Sequence, residues 1–196
     1  MNTTPTALEP ETETLRPTQV VVALVENKPG VLNRVVSLFR RRNFNVDSLT
    51  VGRTHKADIS RVTIVFDAKQ INAQLIIANL QKLVNVIDVR HLSEAPHVSR
   101  DLALIKVRTD DTDSRNRLTL ICEHYPARII DIGPFVAILE MAAPTELIEE
   151  LIDELRQIGI VEMVRTGVVA MGRGIRIHDA NLPTIRRSQQ FVNGNP

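Results

Sequence analysis

The chain has 196 residues, of which 43% are hydrophobic and 24% are charged, as in an ordinary soluble globular protein. Its 24 Lys and Arg nearly balance its 23 Asp and Glu, and without the polar ends (1–17 and 173–196) the count is 19 of each sign. A neutral body disfavours nucleic acid as the main partner, because phosphate binding needs a basic surface. No apolar run approaches the roughly 20 residues of a membrane helix. The single cysteine, Cys122, fits a reducing compartment, so we expect a cytoplasmic protein without a membrane partner.

The two ends differ in composition from the middle. Residues 1–17 mix Thr, Pro and Glu without periodicity and contain no apolar run, so they predict a disordered leader rather than a signal peptide. Residues 174–196 are rich in Arg, Asn and Gln and predict a flexible tail.

The first elements of the middle region form a strand–helix pair. The β-branched run Val20–Val25 predicts a buried strand, and the polar stretch Asn27-Lys28-Pro29-Gly30 ends it. Apolar residues then recur at helical spacing from Val31 to Phe39, which predicts an amphipathic helix with Pro29 in its first turn.

Two strands, a second helix and a last strand follow. Residues 44–53 and 59–66 predict strands joined by a polar turn. Asp67 and Gln70 resemble a capping box, and residues 84–92 predict the closing strand. The inner face of the second helix is expected to carry Ile71, Leu75, Ile76, Leu80 and Leu83. The order β-α-β-β-α-β is that of the ferredoxin-like unit.

The same order recurs in the second half. Strands are predicted at 102–107, 129–132, 135–141 and 161–171, with helices at 112–124 and from Pro144 to a C-cap at Gly159. The last helix and strand of the two halves align at a spacing of 75, as Leu80 with Leu155 and Val89 with Val164. Residues 93–100 are interpreted as a linker. The sequence therefore predicts an α+β fold of two tandem ferredoxin-like modules, 18–95 and 100–173.

The turn between the first strand and the first helix is the most informative stretch. Backbone N–H groups at a helix start can hold a carboxylate, and Gly30 lets a ligand approach the backbone closely. The side chain of Asn27 can both donate and accept hydrogen bonds, as the polar head of an amino acid requires. Spacing alone favours a plain helix-start turn, and Asn45 has a similar structural explanation as a turn or strand-start residue.

No catalytic or metal-binding constellation is evident. The five histidines are scattered, and most fall in predicted turns or element ends, which favours solvated surface positions. Cys122 lies on the apolar side of its helix and is interpreted as a core residue. A helix N-terminus explains Asp110, Asp111 and Asp113, while the Arg40–Arg42 run suits a helix C-terminus or a protein partner.

Several motifs together resemble a known family. Asn27-x-x-Gly30-x-Leu32 and Asn45-Val46-x-Ser48-Leu49-Thr50-Val51, with Arg165-Thr166-Gly167-Val168-Val169 near the end, resemble the small regulatory subunit of acetolactate synthase (acetohydroxyacid synthase). The resemblance covers about residues 18–175 and implies an N-terminal ACT domain with a diverged ACT-like domain behind it.

The resemblance also implies the function. The small subunit has no catalysis of its own. It activates a separate catalytic subunit that uses thiamine diphosphate, Mg²⁺ and FAD, and it confers feedback inhibition by a branched-chain amino acid, commonly valine. The effector is expected where two ACT domains of a homodimer meet. Asn27, Gly30, Val31 and Leu32 of one chain would line the site, and Asn45 and Val46 would come from the other chain.

Two other classes are weighed against this interpretation. A ferredoxin-like nucleic-acid binder needs aromatic residues on its central strands, yet the chain has only five Phe and one Tyr. A stand-alone enzyme needs convergent polar groups, which the sequence does not offer. The identity of the effector among valine, leucine and isoleucine stays open at this point.

Overall fold

The computed structural model describes residues 18–174. The leader predicted for 1–17, and all of the predicted tail except Gly174, lie outside these residues. The first module contains β1 (Thr18–Glu26), α1 (Val31–Arg42), β2 (Ser48–Arg53), β3 (Ile59–Asp67), α2 (Ala73–Leu80) and β4 (Val86–His91). After a short 3-10 turn, the second contains β5 (His97–Arg108), α3 (Thr112–His124), β6 (Ala127–Ile132), β7 (Val136–Ala143), α4 (Thr145–Arg156), β8 (Ile160–Arg165) and β9 (Val169–Gly172).

The first module is an antiparallel sheet with both helices on one face. The strand order is β2-β3-β1-β4, so β1 lies in the middle and β2 and β4 form the edges. Alternate residues of β1, including Val21 and Ala23, face the helices and pack with Val35 and Ile76 in the core. This alternation explains why an almost unbroken apolar strand serves two faces of the sheet at once.

The second module repeats the arrangement with the order β6-β7-β5-β8. Its core lies between the sheet and α3 and α4, around Ile105, Leu139 and Leu151. Two antiparallel sheets, each with two helices on one face, confirm the predicted α+β fold of two tandem ferredoxin-like modules.

The internal repeat is real, but the predicted spacing of 75 is wrong for the last strand. Leu80 and Leu155 are both fully buried near the ends of α2 and α4, as the spacing requires. In the sheets, however, Val86 of β4 pairs with Val25 of β1, and Ile160 of β8 pairs with Val107 of β5, each just after a β-bulge. Val86 therefore corresponds to Ile160, which is a spacing of 74. The turn after α4 is therefore one residue shorter than the turn after α2. The predicted match of Val89 with Val164 consequently pairs side chains that lie on opposite faces of their sheets.

Two predictions at the junction of the modules are wrong. The segment 93–100 is not a linker, since β5 begins at His97 and pairs its first four residues with β9. The single strand predicted over 161–171 is instead β8 and β9, separated by Thr166-Gly167-Val168. The break falls at Gly167, whose φ is 78°, and it was not recognised because strand-like residues flank the glycine on both sides.

Several element ends also differ from prediction. The α2 helix is capped by the Asn72 side chain, which accepts a hydrogen bond from the Gln74 N–H, and not by Asp67 with Gln70. Leu75 is 51% exposed and does not belong to the inner face. Pro29 precedes the N-cap Gly30 of α1 rather than lying in the first helical turn.

The two modules share a small apolar contact on the side of the first sheet that faces away from its helices. Val168 and Ala170 pack there against four residues of the first module, Val20, Val22, Val65 and Leu92. No helix within residues 18–174 combines the length and the hydrophobicity needed to cross a membrane.

Candidate functional site

The loop between β1 and α1 is held against the β2–β3 hairpin. The backbone N–H of Asn27 donates to the Asp58 carbonyl at 2.7 Å, and its side-chain Nδ2 donates to the Ala57 carbonyl at 2.9 Å. Among the described residues, nothing binds the Asn27 side-chain oxygen. The carboxamide is therefore oriented by one hydrogen bond and keeps an acceptor available.

The first turn of α1 has no cap. Its N-cap, Gly30, has φ 82° and offers no side chain, and the first turn contains no acidic residue. Val31 N–H reaches the Lys28 carbonyl at 3.3 Å, and Arg34 N–H reaches the Gly30 carbonyl at 3.1 Å. Within residues 18–174, the N–H groups of the two residues between them, Leu32 and Asn33, have no hydrogen-bond partner. These donors and the helix dipole make the turn suitable for an anion.

Space and conformation at Gly30 favour a ligand. A Cβ built on this residue would meet nothing within 4 Å. The positive φ nevertheless disfavours a side chain, because L-residues rarely adopt it. The backbone is thus open to close approach from outside the helix.

Charged residues beside the loop leave it slightly basic. The Glu26 carboxylate accepts a 2.5 Å hydrogen bond from Asn85 Nδ2 and lies 3.2 Å from Lys28 Nζ. Arg34 Nη1 donates to Asn85 Oδ1 at 2.7 Å. The Asn85 hydrogen bond, followed by that of Lys28, lowers the pKa of Glu26, so the carboxylate stays ionised. Two cations against one anion favour a carboxylate ligand at the helix start.

The four expected site residues of this loop differ in exposure. Asn27 and Gly30 are exposed, and the Leu32 side chain is 44% exposed. Val31 is 5% exposed, and its side chain packs in the core of the first module. Any contact between Val31 and a ligand would therefore use its backbone.

Asn45 and Val46 lie at the other end of the same sheet. They precede β2, which begins at Ser48 opposite Val65, whereas Asn27 follows the far end of β1. Because β1 and β2 both pair antiparallel to β3, they run in the same direction. The length of β2 separates the two groups by about 17 Å along the strands. Within one chain the structure does not bring Asn45 and Val46 to Asn27.

The other candidates from the sequence have structural roles. The Asp111 side chain accepts from the Ser114 N–H at 2.6 Å in a capping box, and this bond lowers the pKa of Asp111. Cys122 is partly buried against the second core, and burial raises the pKa of its thiol. His91, which lies within the strand predicted over 84–92, has a side chain that is 10% exposed, and its ring contacts Gln19 and Glu94.

No group of three His, Cys, Asp or Glu side chains within residues 18–174 converges as a metal site. A shallow depression lies on the first sheet, away from the helices, and none of the six expected site residues lines it. Sequence reasoning missed Asn85, the residue that joins Glu26 to Arg34. Its position before β4 gave no signal, because its partners lie more than 50 residues away in the chain.

Two family models match the two modules of the chain. The family model for the AHAS small subunit-like ACT domain matches residues 22–88, and the model for the small subunit of acetolactate synthase matches residues 100–174. A probable acetolactate synthase small subunit of Archaeoglobus fulgidus is 42% identical over 154 residues, which are 79% of this chain and 96% of the relative. The chain belongs to the acetolactate synthase small-subunit family.

Further relatives agree with this assignment. The acetolactate synthase small subunit of Mycolicibacterium smegmatis is 42% identical over 160 residues, or 82% of this chain and 94% of the relative. A crystal structure of the acetolactate synthase small subunit from Thermotoga maritima matches with a TM-score of 0.72 and 37% identity, and it covers 81% of this chain and 98% of that one. Membership of a small-subunit family implies a separate catalytic subunit as the partner.

Proposed function

We propose that this small subunit activates the catalytic subunit of acetolactate synthase and makes it sensitive to feedback inhibition by a branched-chain amino acid, most strongly valine. The observation that carries the proposal is the uncapped start of α1, with two unpartnered N–H groups beside open space at Gly30. We assign effector binding and dimerisation to the first module (18–95). We assign no surface to the contact with the catalytic subunit.

The loop offers complementary groups for an amino acid. The effector carboxylate would accept from the N–H groups of Leu32 and Asn33, supported by the helix dipole. The free oxygen of Asn27 would accept from the ammonium group, and the exposed Leu32 side chain would contact the aliphatic part. This combination discriminates an aliphatic amino acid from a simple inorganic anion.

A second copy of the chain would complete the site. Pairing of two β2 edges across a two-fold axis is antiparallel, and it brings Asn45 and Val46 of the second copy to the end of the sheet where Asn27 lies. Pairing through the opposite edge, β4, would leave these residues remote from the loop. We therefore infer a homodimer joined along β2, and we call the contact between the two β2 strands, with the adjoining loops, the seam.

The chain would act by changing the state of its partner, and the chemistry would belong to the catalytic subunit. That subunit is expected to hold thiamine diphosphate, Mg²⁺ and FAD, none of which this chain is proposed to bind. An effector held between two chains stabilises one dimer arrangement over another, and a coupling free energy of about 1–3 kcal/mol changes affinity several-fold to about a hundredfold. We expect the complex to be cytoplasmic.

Reconstitution tests the proposal directly. The catalytic subunit is assayed for acetolactate formation as this chain is added, alone and with valine, leucine or isoleucine. We expect activity to rise with the chain and to fall again with valine at lower concentrations than with the other two. Synthase activity that does not change when the chain is added would contradict the proposed function. Sedimentation velocity of the isolated chain tests the dimer, and a strict monomer with and without valine would contradict the seam.

A further inference from the structure

We propose that the segment Thr166–Ala170, which we call the strap, transmits effector binding from the seam to the second module. It leaves the end of β8, crosses to the first module and returns as β9 beside β5. The inference rests on the proposed function, since it concerns how the same effector site reaches the rest of the chain.

The strap contacts β2 through two side chains of that strand. The Val168 N–H donates to Ser48 Oγ at 3.1 Å, and Thr50 Oγ1 donates to the Thr166 carbonyl at 3.4 Å. A third contact comes from β3, where Arg61 Nη2 donates to the Ala170 carbonyl at 2.5 Å. All three groups of the first module lie on or beside its edge, not in its core.

Gly167 allows the close approach. Its φ is 78°, and a Cβ built on it would overlap Ser48 Oγ and lie 3.0 Å from Thr50 Oγ1. A side chain at this position would force Ser48 Oγ to rotate or the strap to shift, and either change breaks the Val168–Ser48 hydrogen bond. After this contact in the chain, Val168 and Ala170 are 8% and 6% exposed, so they fix the strap against the first sheet by apolar packing.

The other end of the strap is fixed to the second module. Arg165 forms a 2.6 Å ion pair with Asp101, which is 3% exposed, and a 2.5 Å ion pair with Glu149 on α4. Thr166 Oγ1 contacts Asp101 Oδ1 at 3.2 Å and accepts from the Leu102 N–H at 3.2 Å. A displacement of the strap is therefore passed to β5, the central strand of the second sheet.

The position of Ser48 connects the strap to the seam. Ser48 follows Val46 by two residues and begins β2, the strand that would pair with the second copy. An effector that reorients the two copies has to move β2, and the strap follows through Ser48 and Thr50. The free energy of two neutral hydrogen bonds corresponds to a several-fold to hundredfold change in affinity. Feedback control needs a coupling free energy in that range.

The experiment separates valine binding from valine inhibition in the reconstituted holoenzyme. Ser48→Ala removes the acceptor for Val168, and Gly167→Ala breaks the close contact with Ser48, because its Cβ would overlap Ser48 Oγ. We expect both variants to bind valine within about twofold of the wild type by calorimetry, while the valine concentration for half inhibition rises at least about fivefold. Thr119→Ala is the matched control away from the seam, because its hydroxyl donates to the Arg115 carbonyl of its own helix, α3, at 3.0 Å; it should behave as wild type.

The double variant tests the contact itself. Because Ser48 Oγ is the atom that a Cβ on Gly167 would overlap, Ser48→Ala combined with Gly167→Ala should lose less sensitivity than the sum of the two single changes. Hydrogen exchange of the wild-type chain adds a readout that needs no variant. Valine should change the exchange of the paired residues 97–100 and 169–172.

The outcomes distinguish the two proposals. Normal valine inhibition in both single variants, or no valine-dependent exchange in β9, would overturn the strap as the link and leave the effector site standing. A wild-type chain that neither binds nor responds to any branched-chain amino acid would overturn the effector site together with the link.

Discussion

The two modules have the same topology but treat the loop between their first strand and first helix in opposite ways. In the first module, Asn27 N–H binds the Asp58 carbonyl; in the second, Thr109 N–H binds the Phe135 carbonyl at the same place. Asn27 is exposed, whereas Thr109 is 1% exposed and its hydroxyl oxygen has no hydrogen-bond partner. The loop of the first module is therefore open to a ligand at the position where that of the second module is closed.

The helix starts differ in the same sense. The N-cap of α1 is Gly30, which provides no side-chain cap, while the N-cap of α3 is Asp111, whose carboxylate accepts from the Ser114 N–H in the first turn. Asp113 adds a second negative charge to that turn. The second module thus supplies its own carboxylate where the first leaves room for a ligand carboxylate. If the proposed effector site is correct, a few loop residues make or remove it without a change of topology.

A third difference lies beneath the loops. The Asn85 carbonyl accepts from Glu26 N–H in the first module, and the Gly159 carbonyl accepts from Arg108 N–H in the second. Only Asn85 has a side chain at this position, and it links Glu26 to Arg34. The first loop is therefore supported by an ordered polar group that the second loop does not have.

The largest expected effect comes from exchanging the two helix starts. Gly30→Asp places a carboxylate beside the free N–H groups, and Asp tolerates a positive φ better than most residues. It should raise the valine concentration for half inhibition about 100-fold or more. Asp111→Gly, the reciprocal change in the second module, should leave that concentration unaltered. Valine titrations of the reconstituted synthase compare the two, and full valine sensitivity with Gly30→Asp would contradict the placement of the site.

A smaller effect concerns the backbone of the first loop. Gly30→Ala should lower the free energy of unfolding by about 1 kcal/mol, because a Cβ is unfavourable at φ 82° even where space is open. Gly52→Ala lacks this strain and should stay within about 0.5 kcal/mol of the wild type. Urea denaturation followed by circular dichroism gives both values, and equal midpoints for the two variants would show that the positive φ is not maintained in solution.

The smallest effect concerns acid stability. The Ser114 N–H lowers the pKa of Asp111 from 3.8 in the folded state, so the stabilisation is present above 3.8 and is lost as the pH falls through the lower folded value. In the first module, the Asn85 hydrogen bond lowers the pKa of Glu26 from 4.5, so this stabilisation is present above 4.5 and is also lost as the pH falls through the lower folded value. Asp111→Asn and Glu26→Gln should each make the melting temperature less dependent on pH in this range. Melting curves at about pH 5 and about pH 3 test this; an unchanged pH dependence in both variants would contradict the assigned hydrogen bonds.

Local patterns were sufficient for much of the architecture. The β-branched run of β1 and the helical spacing of Val31, Val35 and Phe39 predicted the elements that form the first core. The same patterns predicted the second module and its place in the chain. Element ends were less accurate, as at Asn72, because a cap is decided by one side chain and several neighbouring residues could serve.

The candidate site was only partly accessible from the sequence. The Gly30 turn was recognised, because a glycine between a strand and a helix is a local signal. The family resemblance added Asn45 and Val46, and the sheet register places them at the opposite end of the sheet from Asn27, so the proposed site requires a second copy. The role of Asn85 was missed because its hydrogen bond to Glu26 joins residues 59 apart in the chain.

The sequence by itself determined the two modules, the glycine turn before the first helix and the family to which the chain is similar, because each depends on residues close together in the chain. Only the tertiary structure decided that β5 begins at His97, inside the predicted linker, that Asn85 supports the loop, and that the strap lies on Ser48. These features join residues as far as 120 positions apart. Their pairing is set by how the two sheets pack, and the alternation of apolar and polar residues along one strand does not encode it.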